Sequence, residues 1–185
     1  ASQALLYLPR DMPEPGEDVA KYVTALADRI LELIQATRGK TFVLFTSYDI
    51  LNRVHKILDP KLHQYQILKQ GDLAPSRMIQ RFKEEPSIIF GTSSFWQGVD
   101  IPGDALTTVI ITKLPFDVPS DPLIEARLED LRRQSINPFK HYQLPRAIIQ
   151  LRQGFGRLIR KKTDKGVVAI LDSRVGRRGY GPPFV

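Results

Sequence analysis

The sequence of 185 residues contains no cysteine. This absence excludes disulfide bonds, a cysteine-liganded zinc ion and an iron–sulfur cluster within the sequence. Histidine is also scarce, and His55, His63 and His141 do not have the spacing of metal ligands. No apolar run is long enough to span a bilayer, and the N-terminus lacks the charged and then apolar layout of a signal peptide. We therefore expect a soluble, cytoplasmic protein that itself holds no metal ion and no membrane anchor.

Acidic residues are scarce near the C-terminus, which makes the charge of the chain uneven. From Arg146 onward, ten Lys or Arg residues accompany only two acids, Asp164 and Asp172. This region carries a charge of +8, whereas the whole chain carries +7 and the residues before Arg146 carry −1. Concentrated positive charge favours a polyanionic partner, such as nucleic acid or the phosphates of a nucleotide.

Apolar runs typical of buried strands alternate along the chain with segments of helical periodicity. This alternation predicts a single α/β domain over residues 1–185, with a mainly parallel sheet covered on both faces. Residues 1–38 supply a leading strand, a loop and a helix that Gly39 is placed to end, and residues 40–181 form the core. We expect strands over 4–8, 41–46, 65–68, 87–91, 107–112 and 166–171, and helices over 19–34, 49–58, 75–84, 121–134 and 144–161.

Small polar residues directly follow three of the expected strands. In a parallel α/β sheet, ligands bind beyond the carboxyl ends of the strands, where hydroxyl and N–H groups suit phosphate oxygens. For Thr46 and Ser47, N-capping of the next helix is an equally good interpretation. For residues 92–100 the alternative is a polar surface loop. The polar residues are Thr46, Ser47 and Tyr48 after one strand, Gln70 and Gly71 after the next, and residues 92–100 after the third.

Residues 153–160 carry a second candidate site. Arg157 and Arg160 lie three residues apart on an expected helix, so their side chains point the same way. Two converging guanidinium groups suit the spread negative charge of a phosphoryl-transfer transition state. A solvated basic helix face is the alternative for two arginines alone. Gln153 and Gly156 complete the pattern Gln-x-x-Gly-Arg-x-x-Arg.

Two short patterns imitate parts of a nucleotide site. Gly39-Lys40-Thr41 looks like the end of a phosphate-binding loop, but Ile34 stands where that loop needs a glycine. The pattern also ends a helix, whereas a phosphate-binding loop opens one. Asp172 follows an apolar strand as a magnesium ligand would, but no second acid follows it. A self-contained NTPase that uses Lys40 and Asp172 is therefore the weakest hypothesis.

Three segments resemble helicase motifs and occur in the family's order. Residues 45–48 are similar to the fourth motif of superfamily-two helicases, residues 91–104 to the fifth, and residues 153–160 to the sixth. Within that superfamily, the fifth and sixth segments and residues 113–116 resemble the DinG branch, whose relatives include XPD. Gln97 departs from this pattern, since many members carry Glu there.

The resemblance implies a second RecA-like lobe, a three-layer α/β fold without its own phosphate-binding loop. ATP and Mg²⁺ would then be held mainly by a first lobe of the same polypeptide. Arg157 and Arg160 would act on the γ-phosphate as catalytic residues, with Gln153 positioning them. For Trp96, base stacking and packing as a buried wedge are equal alternatives. Further implied contacts are Gly98, Asp100 and Gly156 to the nucleotide, and Thr46, Ser47, Tyr48, Gln70, Gly71, Thr92 and Ser93 to single-stranded DNA.

The sequence thus favours one motor lobe of an ATP-dependent DNA helicase. Closure of two lobes on ATP, and their opening after hydrolysis, would move such a motor along one strand. The segment alone is expected to be inactive as an ATPase. The alternative from another class is a non-enzymatic nucleic-acid-binding domain that keeps the fold without the motor.

Overall fold

The computed structural model of the protein describes residues 4–38, 40–92, 95, 106–117, 121–155 and 165–184. In these residues the strands are β1 (Ala4–Tyr7), β2 (Thr41–Phe45), β3 (Gln66–Lys69), β4 (Ser87–Thr92), β5 (Thr108–Ile111) and β6 (Gly166–Ile170). They form one sheet in the order β1-β6-β5-β2-β4-β3. Every neighbouring pair is parallel, as the alternation of strands and helices predicts.

The helices also follow the prediction, and the described residues contain four additional short elements, two of which are 3-10 turns at Asp59–Lys61 and Pro182–Phe184. A π-helical turn, Phe139–Gln143, precedes the fifth helix, and a short sixth helix follows the last strand. The fifth helix was expected to run to Lys161, and its described part ends at Phe155. The helices are α1 (Val19–Thr37), α2 (Tyr48–Leu58), α3 (Pro75–Glu84), α4 (Pro122–Arg133), α5 (Leu144–Phe155) and α6 (Arg174–Arg177).

The sheet is buried on both faces, which explains why its strands are continuously apolar. All residues of β2 are buried, and successive side chains enter opposite layers. Phe42 and Leu44 pack in the cluster that includes α3 and α5, whereas Val43 and Phe45 pack in the cluster that includes α1 and α2. The fold is therefore a three-layer α/β sandwich, and the predicted fold class is confirmed.

The ends of α1 show how local side chains set the helix bounds. Asp18 caps the start, because its Oδ1 atom accepts a hydrogen bond from the backbone N–H of Lys21 at 3.0 Å. The end differs from the prediction: Arg38 adopts the left-handed conformation with φ of 59°, and its N–H donates to the carbonyl of Ile34. The last turn is thus closed at Arg38, one residue before Gly39, which lies outside the described residues.

Candidate functional site

The carboxyl ends of β2, β3 and β4 lie side by side. The register places Phe45 of β2 opposite Thr92 of β4, and β3 pairs with β4 on the other side. We call the chain at these three ends, residues 46–48, 70–71 and Thr92, the carboxyl edge. Parallel α/β sheets bind ligands at this edge. The structure therefore brings together residues that the sequence places far apart.

Gln70 links β3 to β4 at the carboxyl edge. Its Oε1 atom accepts hydrogen bonds from the backbone N–H of Thr92 at 2.7 Å and from the Thr92 hydroxyl at 3.1 Å. Its own N–H donates to the carbonyl of Phe90 at 2.9 Å. Gly71 then turns the chain with φ of 103°, a conformation that glycine adopts without strain. Gln70 and Thr92 thus hold each other in fixed positions.

Ser47 is the N-cap residue that precedes α2, and it is exposed at the carboxyl edge. Its Oγ atom accepts a hydrogen bond from the backbone N–H of Ile50 at 3.3 Å, which confirms the capping interpretation for Ser47. Thr46 precedes the cap and is partly buried, whereas Tyr48 is 50% exposed. Because a hydroxyl that accepts one hydrogen bond can donate another, capping leaves Ser47 able to contact a ligand.

Phe95 anchors the segment that follows β4. A Cβ atom at Gly91 would lie 3.1 Å from Cδ1 of Phe95 and 3.2 Å from Cε2 of Phe42. Gly91 therefore leaves room for the Phe95 ring, which meets Phe42 edge-on with ring centroids 5.7 Å apart. Phe95 is only 3% exposed. The segment that resembles the fifth motif is thus fixed to the core at its start.

Residues 153–155 are the described part of the segment that resembles the sixth motif. Gln153 is exposed near the end of the described part of α5, whereas its neighbour Gly154 is buried. Ala147 and Leu151 fix the same helix to the core. Gln153 therefore lies on the solvent side of a well-packed helix. The predicted contacts that lie outside the described residues are Ser93, Gly98, Asp100, Gly156, Arg157 and Arg160, together with Trp96 and Gln97.

Lys40 and Asp172 lie at opposite ends of the parallel strands. Lys40 directly precedes β2, and its carbonyl accepts a hydrogen bond from the N–H of Thr107, just before β5. Asp172 follows the carboxyl end of β6. Strands of this length span about 15 Å at roughly 3.3 Å per residue. These two side chains therefore do not form one nucleotide site, and the structure contradicts the self-contained NTPase built on them.

Asp172 instead forms a buried ion pair with Arg174. Its Oδ2 atom accepts hydrogen bonds from Nη2 of Arg174 at 2.6 Å and from the backbone N–H of Leu114 at 2.8 Å. Its Oδ1 atom accepts from the Arg174 backbone N–H at 3.0 Å and from Nε at 2.9 Å. The Asp172 side chain is 0% exposed. Since both oxygens are engaged, the residue does not fit a magnesium ligand. More generally, the described residues contain no group of three or more His, Asp or Glu side chains that could hold a metal ion.

A cavity of about 520 Å³ adjoins the carboxyl edge beside the ends of β2 and β5. Thr46 and Ser47 line one side of it. Tyr22 of α1 lies in its wall, and the Tyr22 hydroxyl donates a hydrogen bond to the carbonyl of Thr112. Burial, and to a smaller degree the charge of Asp172, raises the pKa of Tyr22. This hydroxyl therefore stays protonated and acts as a fixed donor.

Lys113 lies in the same cavity wall, directly after Thr112. Burial lowers the pKa of Lys113, and the nearby positive charge of Arg174 lowers it further, whereas Asp172 raises it. In the sequence, Lys113 contributes to the family resemblance only and has no predicted role. The signal that could have found it is its position: Lys113 follows the end of β5 as Thr46 follows the end of β2.

The fold and the polar carboxyl edge define the class of protein as a RecA-like α/β lobe of the kind found in helicases. A family model described as the helicase C-terminal domain matches residues 30–185. The chain therefore belongs to the family of helicase C-terminal domains.

No described helix is long and apolar enough to cross a membrane.

Individual relatives bear the names YoaA and DinG. The chain is 42% identical over 196 residues to the ATP-dependent DNA helicase YoaA of Haemophilus influenzae, covering 100% of this chain and 30% of that protein. It is 41% identical over 178 residues to the 3'-5' exonuclease DinG of Bacillus subtilis, covering 94% of this chain and 18% of that protein. The predicted resemblance to the C-terminal lobe of a DinG- or XPD-like helicase is confirmed.

A solved XPD helicase has the same fold. It superposes with a TM-score of 0.74 at 19% identity, covering 94% of this chain and 32% of that one. At this identity the likeness concerns the fold alone. The chain spans less than a third of the length of each of these three proteins. It covers 30% of YoaA, 18% of DinG and 32% of the XPD helicase.

Proposed function

We propose that the chain is the second motor lobe of an ATP-dependent DNA helicase. In this proposal a first lobe of the same polypeptide binds ATP and Mg²⁺, and the present lobe contributes a surface for single-stranded DNA. Closure of the two lobes on ATP, and their opening after hydrolysis, moves the pair along the strand. The name of the YoaA relative, ATP-dependent DNA helicase, supports DNA and ATP as the ligands.

The observation that carries the DNA-binding part is the convergence of polar groups at the carboxyl edge. Thr46 and Ser47 after β2 and the linked pair Gln70 and Thr92 after β3 and β4 lie along one edge. Hydroxyl and amide groups of this kind contact phosphate oxygens without reading base sequence. A motor that moves along any sequence needs contacts of this type.

The nucleotide part of the proposal rests on the segment that follows α5. Gln153 is exposed near the end of the described part of α5, a helix whose opposite face is packed into the core. We propose that Gln153 orients Arg157 and Arg160 toward the γ-phosphate of ATP on the first lobe. Gly98, Asp100 and Gly156 are proposed contacts on the nucleotide side of the same cleft. Guanidinium groups stabilise the charge that spreads over the transferred phosphoryl group.

The chain alone is expected to bind single-stranded DNA weakly, with a strong dependence on salt. Phosphate contacts dominate such binding, and each phosphate that a Lys or Arg neutralises contributes about −0.7 to the slope of log affinity against log salt concentration. Fluorescence anisotropy over a salt series measures this slope. Thr46→Val, which removes a hydroxyl at nearly constant shape, should weaken binding, whereas Thr24→Val on the exposed face of α1 should not. Salt-insensitive binding, or strong binding to one base sequence only, contradicts the proposal.

The chain alone is also expected to show no ATP hydrolysis above background, with or without single-stranded DNA. Lys40 lies at the amino ends of the strands and Asp172 at their carboxyl ends, and the Asp172 carboxylate is fully engaged by Arg174 and Leu114. In the part of the chain that the structure describes, these two side chains therefore cannot grip the phosphates and Mg²⁺ together. A coupled assay for released phosphate tests this expectation. DNA-stimulated turnover by the purified chain would overturn the assignment as a second lobe.

A further inference from the structure

Lys113 carries an uncompensated charge in the wall of the cavity beside the carboxyl edge. Arg174 is paired with Asp172 at 2.6 Å, and Asp117, which also lines the cavity, is bound by Nε of Arg146 at 2.6 Å. Among the described residues, no hydrogen bond or ion pair neutralises the Lys113 ammonium group. The charged groups of the wall therefore sum to one positive charge, which favours an anionic ligand.

The burial of Lys113 points to the same class of ligand. Partial burial and the positive charge of Arg174 both lower the pKa of Lys113. Asp172 acts in the opposite direction, but its carboxylate is already paired with Arg174. An anion that binds beside Lys113 would therefore stabilise the charged form of this lysine. A phosphate group would supply that charge and would return the pKa of Lys113 toward its ordinary value.

Three aromatic side chains line another part of the cavity wall. Phe116 and Phe139 have ring centroids 5.7 Å apart, and Tyr180 lies 5.1 Å from Phe139. All three line the cavity and are only partly buried. The π-helical turn before α5 is what presents Phe139 at this position. The Arg174 guanidinium group lies over the Phe116 ring at 5.6 Å from its centroid. The accessible parts of these rings, in the same cavity as Lys113, suit a nucleobase attached to a phosphate, because each base has a face that stacks on aromatic rings.

The cavity is continuous with the carboxyl edge. Thr46 and Ser47 belong to both, so a strand that contacts these residues also passes the mouth of the cavity. Its volume of about 520 Å³ lies within the range of roughly 300–1,000 Å³ typical of small-ligand sites. The space is therefore adequate for a single nucleotide.

We infer that this cavity holds one nucleotide of the bound single strand, with a backbone phosphate at the Lys113 ammonium group and the base against Phe116 and Phe139. The inference rests on the proposed function and deepens it. The carboxyl edge supplies hydrogen bonds to the backbone, and the cavity adds one charged and one stacking contact. Neither contact reads a particular base, as a moving motor requires.

The test compares two variants of the chain on two strands of equal length, an oligothymidylate and an abasic strand with the same phosphates. Lys113→Met removes the charge, and Phe139→Leu removes the ring while keeping apolar volume. Lys83→Met is the matched control, since Lys83 is exposed near the end of α3, where the chain enters the amino end of β4. Thermal unfolding verifies that each variant is folded, and fluorescence anisotropy gives each affinity.

Lys113→Met should weaken binding to both strands and make the salt slope shallower by about 0.7, the contribution of one phosphate. Phe139→Leu should weaken binding to oligothymidylate by on the order of tenfold, the scale of one base–aromatic stack. It should leave binding to the abasic strand unchanged. The cavity assignment is overturned if Lys113→Met behaves like Lys83→Met, or if Phe139→Leu loses equal affinity on both strands. Failure of the unmodified chain to bind either strand overturns the proposed function itself.

Discussion

Replacement of Arg157 or Arg160 by lysine is expected to reduce ATP turnover by on the order of a thousandfold or more. Lysine keeps the positive charge but loses the planar fork that matches two phosphoryl oxygens at once. The measurement uses the longer protein that carries the ATP-binding lobe, with saturating single-stranded DNA. The affinities for ATP and DNA should change little, because the arginines act on the transition state more than on the ground state.

The neighbouring lysines provide the control for the two arginines. Lys161→Ala and Lys162→Ala alter the same basic segment without touching the Gln-x-x-Gly-Arg-x-x-Arg pattern. Each should cost little ATPase activity. If the lysines matter as much as Arg157 and Arg160, the region is a general basic patch. The alternative of a non-enzymatic nucleic-acid-binding domain predicts that the parent protein has no DNA-stimulated ATPase activity for any variant to remove.

Asp172→Ala is expected to lower the free energy of unfolding by about 3–5 kcal/mol, the scale for breaking a buried ion pair from one side. The substitution leaves the Arg174 guanidinium group, which is 17% exposed, without its counter-charge. It also leaves the backbone N–H of Leu114 without its acceptor. Urea denaturation followed by circular dichroism measures the change.

Two further variants separate the buried charge from general sensitivity to substitution. The double variant Asp172→Asn with Arg174→Met removes both charges and should recover part of the lost stability. Glu129→Ala breaks an exposed ion pair with Arg133 on α4, whose atoms lie 3.7 Å apart. That change should cost only about 0.5 kcal/mol or less. If Asp172→Ala is as mild as Glu129→Ala, the pair does not hold the end of β6 in place.

The fold could be predicted from the sequence because its strongest signals are local. The run from Thr41 to Phe45 is buried on both faces, and this predicts a central strand without knowledge of its neighbours. The π-helical turn Phe139–Gln143 has no such signal. Phe139 packs against Phe116 and Tyr180, which are distant in sequence, so tertiary contacts accompany the turn. The sequence predicts that Gly39 ends α1, but Arg38, one residue earlier, adopts the left-handed conformation that closes the helix.

The candidate site could be predicted only in part. The rule that ligands bind at strand ends identified Thr46, Gln70 and Thr92, and the structure places them along one edge. The same rule also applies to Lys113 after β5, but its burial and the charge of Arg174 depend on packing. The hydrogen bond from the N–H of Leu114 to Asp172 could not be predicted either, because it joins two loops that are distant in sequence and share no local pattern. The roles of the predicted site residues remain predictions.

The pairing of β1 with β6 has a consequence for how the protein is made. Ala4 of β1 pairs with Gly166 of β6, so β1 cannot join the sheet until β6 has been synthesised. β6 also fills the position between β1 and β5, so both of those strands keep an open edge until then. Leu5 and Leu6 remain exposed in β1 even after folding. Because contacts between distant residues form slowly, the nascent chain carries unpaired strand edges while the residues between β1 and β6 are synthesised, when aggregation competes with folding.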